Sequence, residues 1–158
     1  MWMWIIAGIV LDQLVKLWVV STLTLGAFWH VFPGVYLTFA LNKGVAFSLF
    51  SSAKTVYAVM LHTMIFAFNW MLIEWLYTLR AEPLSQRIGL MLILSGGLSN
   101  LFDRVCYGAV VDYMTLAYAG FIWPTIFNLA DVWICIGCAL LLRYHASTAV
   151  RAEHASGI

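Results

Sequence analysis

Residues 2–20 read WMWIIAGIVLDQLVKLWVV, an apolar run that is interrupted by Asp12, Gln13 and Lys16. About 20 consecutive apolar residues are enough to cross the hydrocarbon core of a bilayer as an α-helix. The run lacks a basic n-region and an A-x-A-like exit, and its charges fall where a cleaved signal peptide needs an apolar core. It therefore predicts a retained transmembrane helix.

Three more apolar segments follow, at about 56–79, 88–102 and 124–142. A polar connection with Pro83 separates the first two of them, and the polar residues 143–158 predict a loose cytoplasmic tail. Four spans with modest connections use up the 158 residues of the chain. We therefore expect one integral membrane domain that covers residues 1–158.

The composition supports a mainly α-helical membrane protein. The chain is 64% hydrophobic and only 9% charged, with a mean hydropathy of +0.94, whereas globular proteins carry roughly 25% charged residues. The formal net charge is +1 and basic residues are dispersed along the chain. A nucleic-acid partner is therefore not expected.

A small β element is predicted between the first two helices, at about 26–52. After the Pro33-Gly34 turn signal, apolar residues recur at every second position, which is the spacing of a strand. These residues are Val35, Leu37, Phe39 and Leu41. Aromatic residues cluster there and again at 118–123, as they do at membrane interfaces. We expect this element to lie on the outer membrane surface.

Basic residues divide evenly between the two ends of the predicted helices. One group falls mainly within polar constellations, and it comprises Lys16, Lys43, Lys54 and Arg104. The other group occupies plain flanking positions of the kind that the positive-inside rule counts, and it comprises Arg80, Arg87, Arg143 and Arg151. Both termini are then cytoplasmic, and the polar residues within the spans lie near the extracytoplasmic face.

Four carboxylates lie in or beside the apolar segments: Asp12, Asp103, Asp112 and Asp131. An ionisable group in a bilayer is costly, so each is a candidate for function. Asp112 closes the sequence GAVVD and Asp131 closes FNLAD. Together they suggest a pair of catalytic aspartates inside a membrane protein.

Five short motifs, in order between residues 12 and 131, resemble the signature blocks of lipoprotein signal peptidase, the bacterial type II signal peptidase. They are Asp12-Gln13-x-x-Lys16, Asn42-Lys43-Gly44-Val45-Ala46-Phe47, Gly96-Gly97-x-x-Asn100-x-x-Asp103-Arg104, Val110-Val111-Asp112 and Phe127-Asn128-x-Ala130-Asp131. Any one of them is a weak signal, but five in register are specific. A small residue such as Ala is expected where this chain has Val45, a departure that affects no predicted catalytic residue.

The resemblance implies an aspartic peptidase of the bacterial inner membrane. Such an enzyme removes the signal peptide from diacylglyceryl-modified prolipoproteins, cutting just before the lipid-bearing cysteine. Its implied partners are the prolipoprotein and membrane lipid, without metal or cofactor. The catalytic pair maps to Asp112 and Asp131. The substrate-binding or supporting residues map to Asp12, Lys16, Asn42, Gly44, Gly96, Asn100, Arg104 and Asn128.

Physical chemistry gives the aspartate pair a mechanism. Two close carboxylates in a medium of low dielectric constant cannot both ionise cheaply, so they share one proton over a broad pH range. The ionised member takes a proton from water while the protonated member hydrogen-bonds the scissile carbonyl. The sequence does not assign these two roles, since they belong to the coupled pair.

The supporting residues allow structural interpretations as well. Asp12 and Lys16 are spaced i,i+4, so they either pair along one helix face or shape the substrate site. One interpretation is that Asp103 only neutralises Arg104. The interpretation we favour is that Arg104 binds carbonyls or phosphates of the substrate or the lipid.

Three further residues have simpler interpretations. Gly96 and Gly97 favour close helix packing over chemistry. Asn128 precedes Asp131 by three residues and is expected to orient its carboxylate through a hydrogen bond.

Two rival functions are less consistent with the sequence. Cys135 and Cys138 form a C-x-x-C pair, which favours a membrane thiol-disulfide oxidoreductase, but they lie in an apolar helix and Cys106 cannot supply a second pair. A proton-coupled carrier is disfavoured because four spans without repeats leave little room for alternating access. Metal spacing is absent from the histidines His30, His62, His145 and His154.

Overall fold

The apolar runs form helices and the alternating segment forms a strand in the computed structural model, which describes residues 1–44, 54–119 and 121–156. In chain order the elements are α1 (Trp2–Thr22), β1 (Phe28–Phe32), β2 (Val35–Asn42), α2 (Lys54–Thr78), a 3-10 turn (Leu79–Ala81), α3 (Leu84–Tyr107), β3 (Val110–Tyr118), β4 (Phe121–Ile122) and α4 (Leu129–Ser156). Residues 45–52 of the predicted β region, with Val45 among them, lie outside the described residues.

Each of the four helices is long and apolar enough to cross a membrane. The qualifying segments are Trp2–Thr22, Val59–Thr78, Leu84–Tyr107 and Leu129–Thr148. Large apolar side chains such as Met3, Val105 and Leu142 are exposed on the outside of the molecule, which is the surface expected of helices that face lipid. The predicted fold class, four transmembrane helices with a small antiparallel sheet, is confirmed.

The third helix is longer than the sequence predicted. It covers Leu84–Tyr107 rather than 88–102, so that Asp103 and Arg104 lie in its last turns instead of following it. Gly108 ends the helix in the left-handed conformation, with φ of +68°, and its N–H donates to the Arg104 carbonyl at 3.1 Å. The prediction ended the helix before its charged residues. These residues have partners inside the protein, so the helix continues through them.

The fourth helix also differs from its predicted bounds. It begins at Leu129 rather than near Pro124, and it continues to Ser156 through residues that were expected to form a loose tail. Residues 143–156 include four alanines and two arginines, which have high helix propensity, so the helix continues beyond its apolar stretch.

The antiparallel sheet has the strand order β1-β2-β3-β4. Gly34, with φ of +82°, makes the turn between β1 and β2. The sequence predicted strand structure only in the region of β1 and β2. It missed β3 because residues 110–113 are buried without alternation, and a short apolar run of this kind carries no strand period.

Two apolar clusters fix the site's framework. One lies among the helices and includes Ile5, Leu76 and Leu94. The other, formed by Val19, Leu23, Val111 and Tyr113, attaches β3 to α1. Because β3 also pairs with β2, the sheet is held against the end of the helical bundle where α1 and α3 finish and α4 begins.

Close packing of α3 on α4 depends on small residues. A Cβ on Gly96 would collide with the carbonyl oxygen of Ala130, and one on Gly137 would collide with the carbonyl oxygen of Gly89. Gly96 therefore supports the site by letting the α4 backbone approach α3, which agrees with the packing interpretation.

Candidate active site

Asp131 lies in the first turn of α4 and is held by a reciprocal pair of hydrogen bonds with Asn128. The Asn128 N–H donates to Asp131 Oδ2 at 3.1 Å, and the Asp131 N–H donates to Asn128 Oδ1 at 3.0 Å. This is a capping box, which satisfies two free donors at a helix N-terminus. The arrangement fixes the carboxylate of Asp131 and places its charge at the positive end of the helix dipole.

Asp112 lies on β3, 2% exposed, and receives two amide donors. Asn128 Nδ2 donates to Oδ1 at 2.7 Å and Asn42 Nδ2 donates to Oδ2 at 2.9 Å. Asn42 reaches it because Ala40 pairs with Asp112 across the β2–β3 ladder, which makes Asn42 a diagonal neighbour on the same face. Asn128 thus contacts both candidate catalytic carboxylates, so the structure places Asp112 and Asp131 on either side of one asparagine side chain and its backbone.

The amide of Asn42 is oriented by its own turn. The N–H of Gly44, whose φ is +86°, donates to Asn42 Oδ1 at 2.9 Å. Nδ2 is then the atom that faces Asp112. Gly44 supports the site through its backbone, and a positive φ at this position favours glycine.

Asn100 on α3 connects Asp131 to a buried lysine. Its Nδ2 donates to Asp131 Oδ1 at 2.9 Å, while its Oδ1 accepts from Lys16 Nζ at 2.9 Å and from Asn128 Nδ2 at 3.1 Å. Because Lys16 can only donate, it determines which way the Asn100 amide points. The donor side of Asn100 is therefore directed at the carboxylate.

Lys16 is the centre of a buried ion cluster. Its Nζ lies 2.7 Å from Asp12 Oδ2 and 2.8 Å from Asp103 Oδ2, and all three side chains are at most 2% exposed. Ser99 Oγ donates to Asp12 at 2.6 Å and Gln13 Nε2 donates to Asp103 at 2.7 Å. The predicted Asp12–Lys16 pairing is confirmed. Asp103 also pairs with Lys16, so the interpretation that it serves only to neutralise Arg104 is wrong.

The two carboxylates of this cluster each hold the residue that precedes a candidate catalytic aspartate. Asp12 Oδ1 accepts from the N–H of Ala130 at 3.0 Å, and Asp103 Oδ2 accepts from the N–H of Val111 at 3.2 Å. One lysine and its two partners thereby fix the backbone on both sides of the pair.

Tyr113 satisfies another free donor of α4. The Leu129 N–H donates to its hydroxyl oxygen at 3.0 Å. Burial raises the pKa of this phenol well above its usual range, so the ring remains neutral. Tyr113 is a supporting residue that no motif in the sequence identified.

Burial raises the pKa of the Asp112 carboxyl to about 6, and the negative charge of Asp131 acts in the same direction. The hydrogen bonds from Asn42 and Asn128 oppose the increase because they stabilise the ionised form. Asp112 therefore retains its proton to a higher pH than an ordinary aspartate does.

A cavity of about 500 Å³ lies between α2, α3 and α4. One end is polar and is lined by Asn100, Arg104 and Asp131, and most of the remaining lining is apolar, from residues such as Phe68 and Ile134. Arg104 Nη1 donates to the Asn100 carbonyl at 3.1 Å, which holds the guanidinium at the polar end. The cavity can receive an apolar chain segment and present a bond near its end to Asp131.

Ser99 and Asn69 are two more polar residues that sequence reasoning missed. Each interrupts an apolar run, and that signal could have identified both. The rival cysteines, in contrast, do not line the cavity. Cys135 and Cys138 are exposed free thiols.

Four apolar helices, a small sheet and two carboxylates held by one asparagine, the buried Asp112 and the half-buried Asp131 beside an apolar cavity, define a multi-pass membrane protein with a polar site at one end of its helical bundle. The family model described as signal peptidase (SPase) II matches residues 4–146. The chain belongs to the signal peptidase II family and is therefore a peptidase, a multi-pass protein of the bacterial membrane.

Curated relatives cover most of the chain. The lipoprotein signal peptidase of Blochmanniella pennsylvanica is 36% identical over 146 residues, which are 91% of this chain and 88% of the relative. That of Polynucleobacter necessarius is 38% identical over 134 residues, which are 85% of this chain and 81% of the relative.

Two solved structures of bacterial membrane enzymes share the fold, each at 24% identity. One has a TM-score of 0.70 and covers 98% of this chain and 88% of its own. The other has a TM-score of 0.72, with coverages of 90% and 89%.

Proposed function

We propose that this protein cleaves the signal peptide from diacylglyceryl-modified prolipoproteins immediately before the lipidated cysteine, with Asp112, Asp131 and a water molecule as the reacting groups. The observation that carries the proposal is that Asn128 donates to both carboxylates, 2.7 Å from its Nδ2 to Asp112 and 3.1 Å from its N–H to Asp131. The family relationship supplies the substrate class.

The roles of the two aspartates differ in this proposal. Asp131, at the N-terminus of α4 with donors from Asn100 and Asn128, is the ionised member and takes a proton from water. The water oxygen forms a bond to the scissile carbonyl carbon. Asp112, whose pKa burial raises to about 6, keeps the shared proton and hydrogen-bonds the carbonyl oxygen, so that charge developing there is stabilised.

The tetrahedral intermediate then collapses as the C–N bond breaks. A proton passes from the pair to the departing amine of the lipidated cysteine, and the new carboxyl group leaves with the signal peptide. The pair ends with the one proton with which it began, as general acid–base catalysis requires.

The substrate is accommodated by the cavity between α2, α3 and α4. Its apolar lining fits the hydrophobic part of a signal peptide, and the polar end brings the cleavage site to Asp131. Arg104, at the same end, binds carbonyl or phosphate oxygens of the substrate or of its lipid. Contacts of the protein with the diacylglyceryl group, away from the scissile bond, supply binding energy that an unmodified precursor lacks.

The proposed orientation puts both termini in the cytoplasm, and the sheet and the active site near the extracytoplasmic face. Exposed aromatic side chains at the sheet, such as Trp29, Phe121 and Trp123, suit a membrane interface. The arginines in plain flanking positions lie on the other side of the spans from the sheet, where the positive-inside rule expects them.

The function is tested with purified protein, a diacylglyceryl-modified prolipoprotein and its unmodified form. We expect cleavage of the lipidated form only, with mass spectrometry placing the cut directly before the modified cysteine. Failure to cleave either form would reject the proposed function.

A further inference from the structure

Asn69, in the middle of α2, carries a buried acceptor that has no donor. Its side chain is 3% exposed, and its Nδ2 donates to the Ile65 carbonyl at 2.9 Å. That bond identifies the other amide atom as Oδ1, since an oxygen could not face the carbonyl. Oδ1 has no hydrogen-bond partner among the described residues, and a buried unpaired acceptor is unfavourable.

This acceptor belongs to the cavity that Asp131 and Asn100 also line. Gly97 of α3 makes room for this oxygen, because a Cβ on Gly97 would lie 2.5 Å from Oδ1. Gly97 precedes Asn100 by three residues on α3, which is about 4.5 Å along a helix axis. Oδ1 therefore lies roughly one helical turn further into the membrane than the carboxylate of Asp131.

A peptide bond must leave its helix before water can attack it, and the freed N–H groups then need acceptors, because lipid offers none. An extended segment advances about 3.3 Å per residue. With the scissile bond at Asp131, Oδ1 is level with a residue one or two positions before the cut.

We propose that Asn69 is a positioning residue for the signal peptide: its Oδ1 accepts a hydrogen bond from the backbone N–H of a residue one or two positions before the scissile bond. This inference rests on the proposed function. It also requires that the residues before the scissile bond lie on the cytoplasmic side of that bond. It gives the Asn69–Gly97 contact a role in aligning the substrate.

The test is an ester scan of a synthetic diacylglyceryl lipopeptide. The backbone N–H of each of the three residues before the cut is replaced in turn by an ester oxygen, and kcat/KM is measured for wild-type protein and for Asn69→Leu. With wild type, we expect one ester to lower kcat/KM about tenfold. Asn69→Leu should lose about tenfold on the amide substrate and show no further loss with that ester. Ile65→Val, at the same cavity, is the matched control and should retain the ester penalty.

Gly97→Ala provides a second route, because its Cβ displaces Oδ1 without removing it, and the same loss of the ester penalty is expected. An undiminished ester penalty in either Asn69→Leu or Gly97→Ala would overturn the inference. A wild-type scan in which no ester lowers kcat/KM would overturn it as well. Neither result contradicts the proposed function. Wild-type protein that cleaves no lipidated substrate would instead reject the function itself and this inference with it.

Discussion

Two polar groups of residues lie side by side in the protein, and they are stabilised in different ways. The ion cluster of Asp12, Lys16 and Asp103 pairs one cation with two carboxylates, all at most 2% exposed. Asp112 and Asp131, in contrast, receive donors from neutral amides and from backbone N–H groups, and one of them lines a cavity. Lys16 neutralises the two carboxylates of the ion cluster, whereas burial raises the pKa of Asp112 to about 6 against the effect of its amide donors, so that this carboxyl can exchange a proton near neutral pH.

The largest loss of activity is expected from substitutions in the aspartate pair. Asp112→Asn and Asp131→Asn should each lower kcat/KM by at least about 1,000-fold, because the amide keeps the shape and removes the acid–base chemistry. Membrane insertion and thermal stability should stay close to those of wild type. Near-native turnover by either variant would show that its residue is not catalytic.

The ion cluster should respond in the opposite way, with stability as the first loss. Lys16→Met leaves Asp12 and Asp103 buried without their cation, a change that typically costs about 3–5 kcal/mol. We expect a large drop in the Tm of the purified protein in detergent. Adding Asp12→Asn and Asp103→Asn to Lys16→Met should restore part of the Tm. A single variant as stable as wild type would contradict the structural role.

The charge of Arg104 interacts with carboxylates of both groups, Asp103 in one and Asp112 and Asp131 in the other. Its replacement distinguishes substrate binding from charge balance. Arg104→Lys keeps the charge but loses the planar fork, so we expect about a tenfold lower cleavage rate at unchanged Tm. Asp103→Asn should instead mainly lower Tm. A fully active and stable Arg104→Lys enzyme would contradict the proposed contact with substrate or lipid.

The proton on the pair can be followed by pH. The pKa of Asp112 is raised from 3.8 to about 6, so the protonated form persists at acidic pH and is lost as the pH rises through that value. We expect kcat/KM to fall on this alkaline side. Asn42→Ala removes a hydrogen bond that lowers the pKa, so the fall should move to higher pH, by roughly one pH unit. A shift to lower pH would reverse the assignment of the proton to Asp112.

The smallest effect is expected at the thiols. Cys135→Ala combined with Cys138→Ala should change the cleavage rate less than about twofold, since the proposed mechanism uses no sulfur and exposed substitutions rarely perturb a fold. Loss of activity in a normally inserted double variant would favour the disulfide-exchange function.

Sequence alone predicted the four spans, because apolar length is a local signal, and charges in or beside apolar segments made Asp112 and Asp131 candidates. The neutral supporting residues, such as Asn42 and Asn128, were candidates only through the resemblance to a known family. The sequence could not predict the partners of those residues. The pairing of Asp103 with Lys16 depends on the approach of α1 to α3, and the contact of Asn128 with Asp112 depends on how β3 meets α4. These are tertiary contacts, so neither spacing nor composition reports them.

The predicted ends of the helices and strands were wrong for a related reason. The sequence placed the end of the third span at 102 because charged residues follow, yet the helix continues to Tyr107 through an aspartate that Lys16 neutralises. The strand β3 went unnoticed because both of its faces are buried where it begins. In each case, burial by other elements overrides the local pattern.

Asp112 and Asp131 are proposed to act as one catalytic unit. The decisive measurement is the initial rate of cleavage of a diacylglyceryl-modified prolipoprotein by wild type, Asp112→Asn, Asp131→Asn and the double variant. We expect the double variant to be no slower than either single one, because groups that act as a unit are lost together. Losses that multiply in the double variant would show two independent contributions and exclude a single catalytic unit.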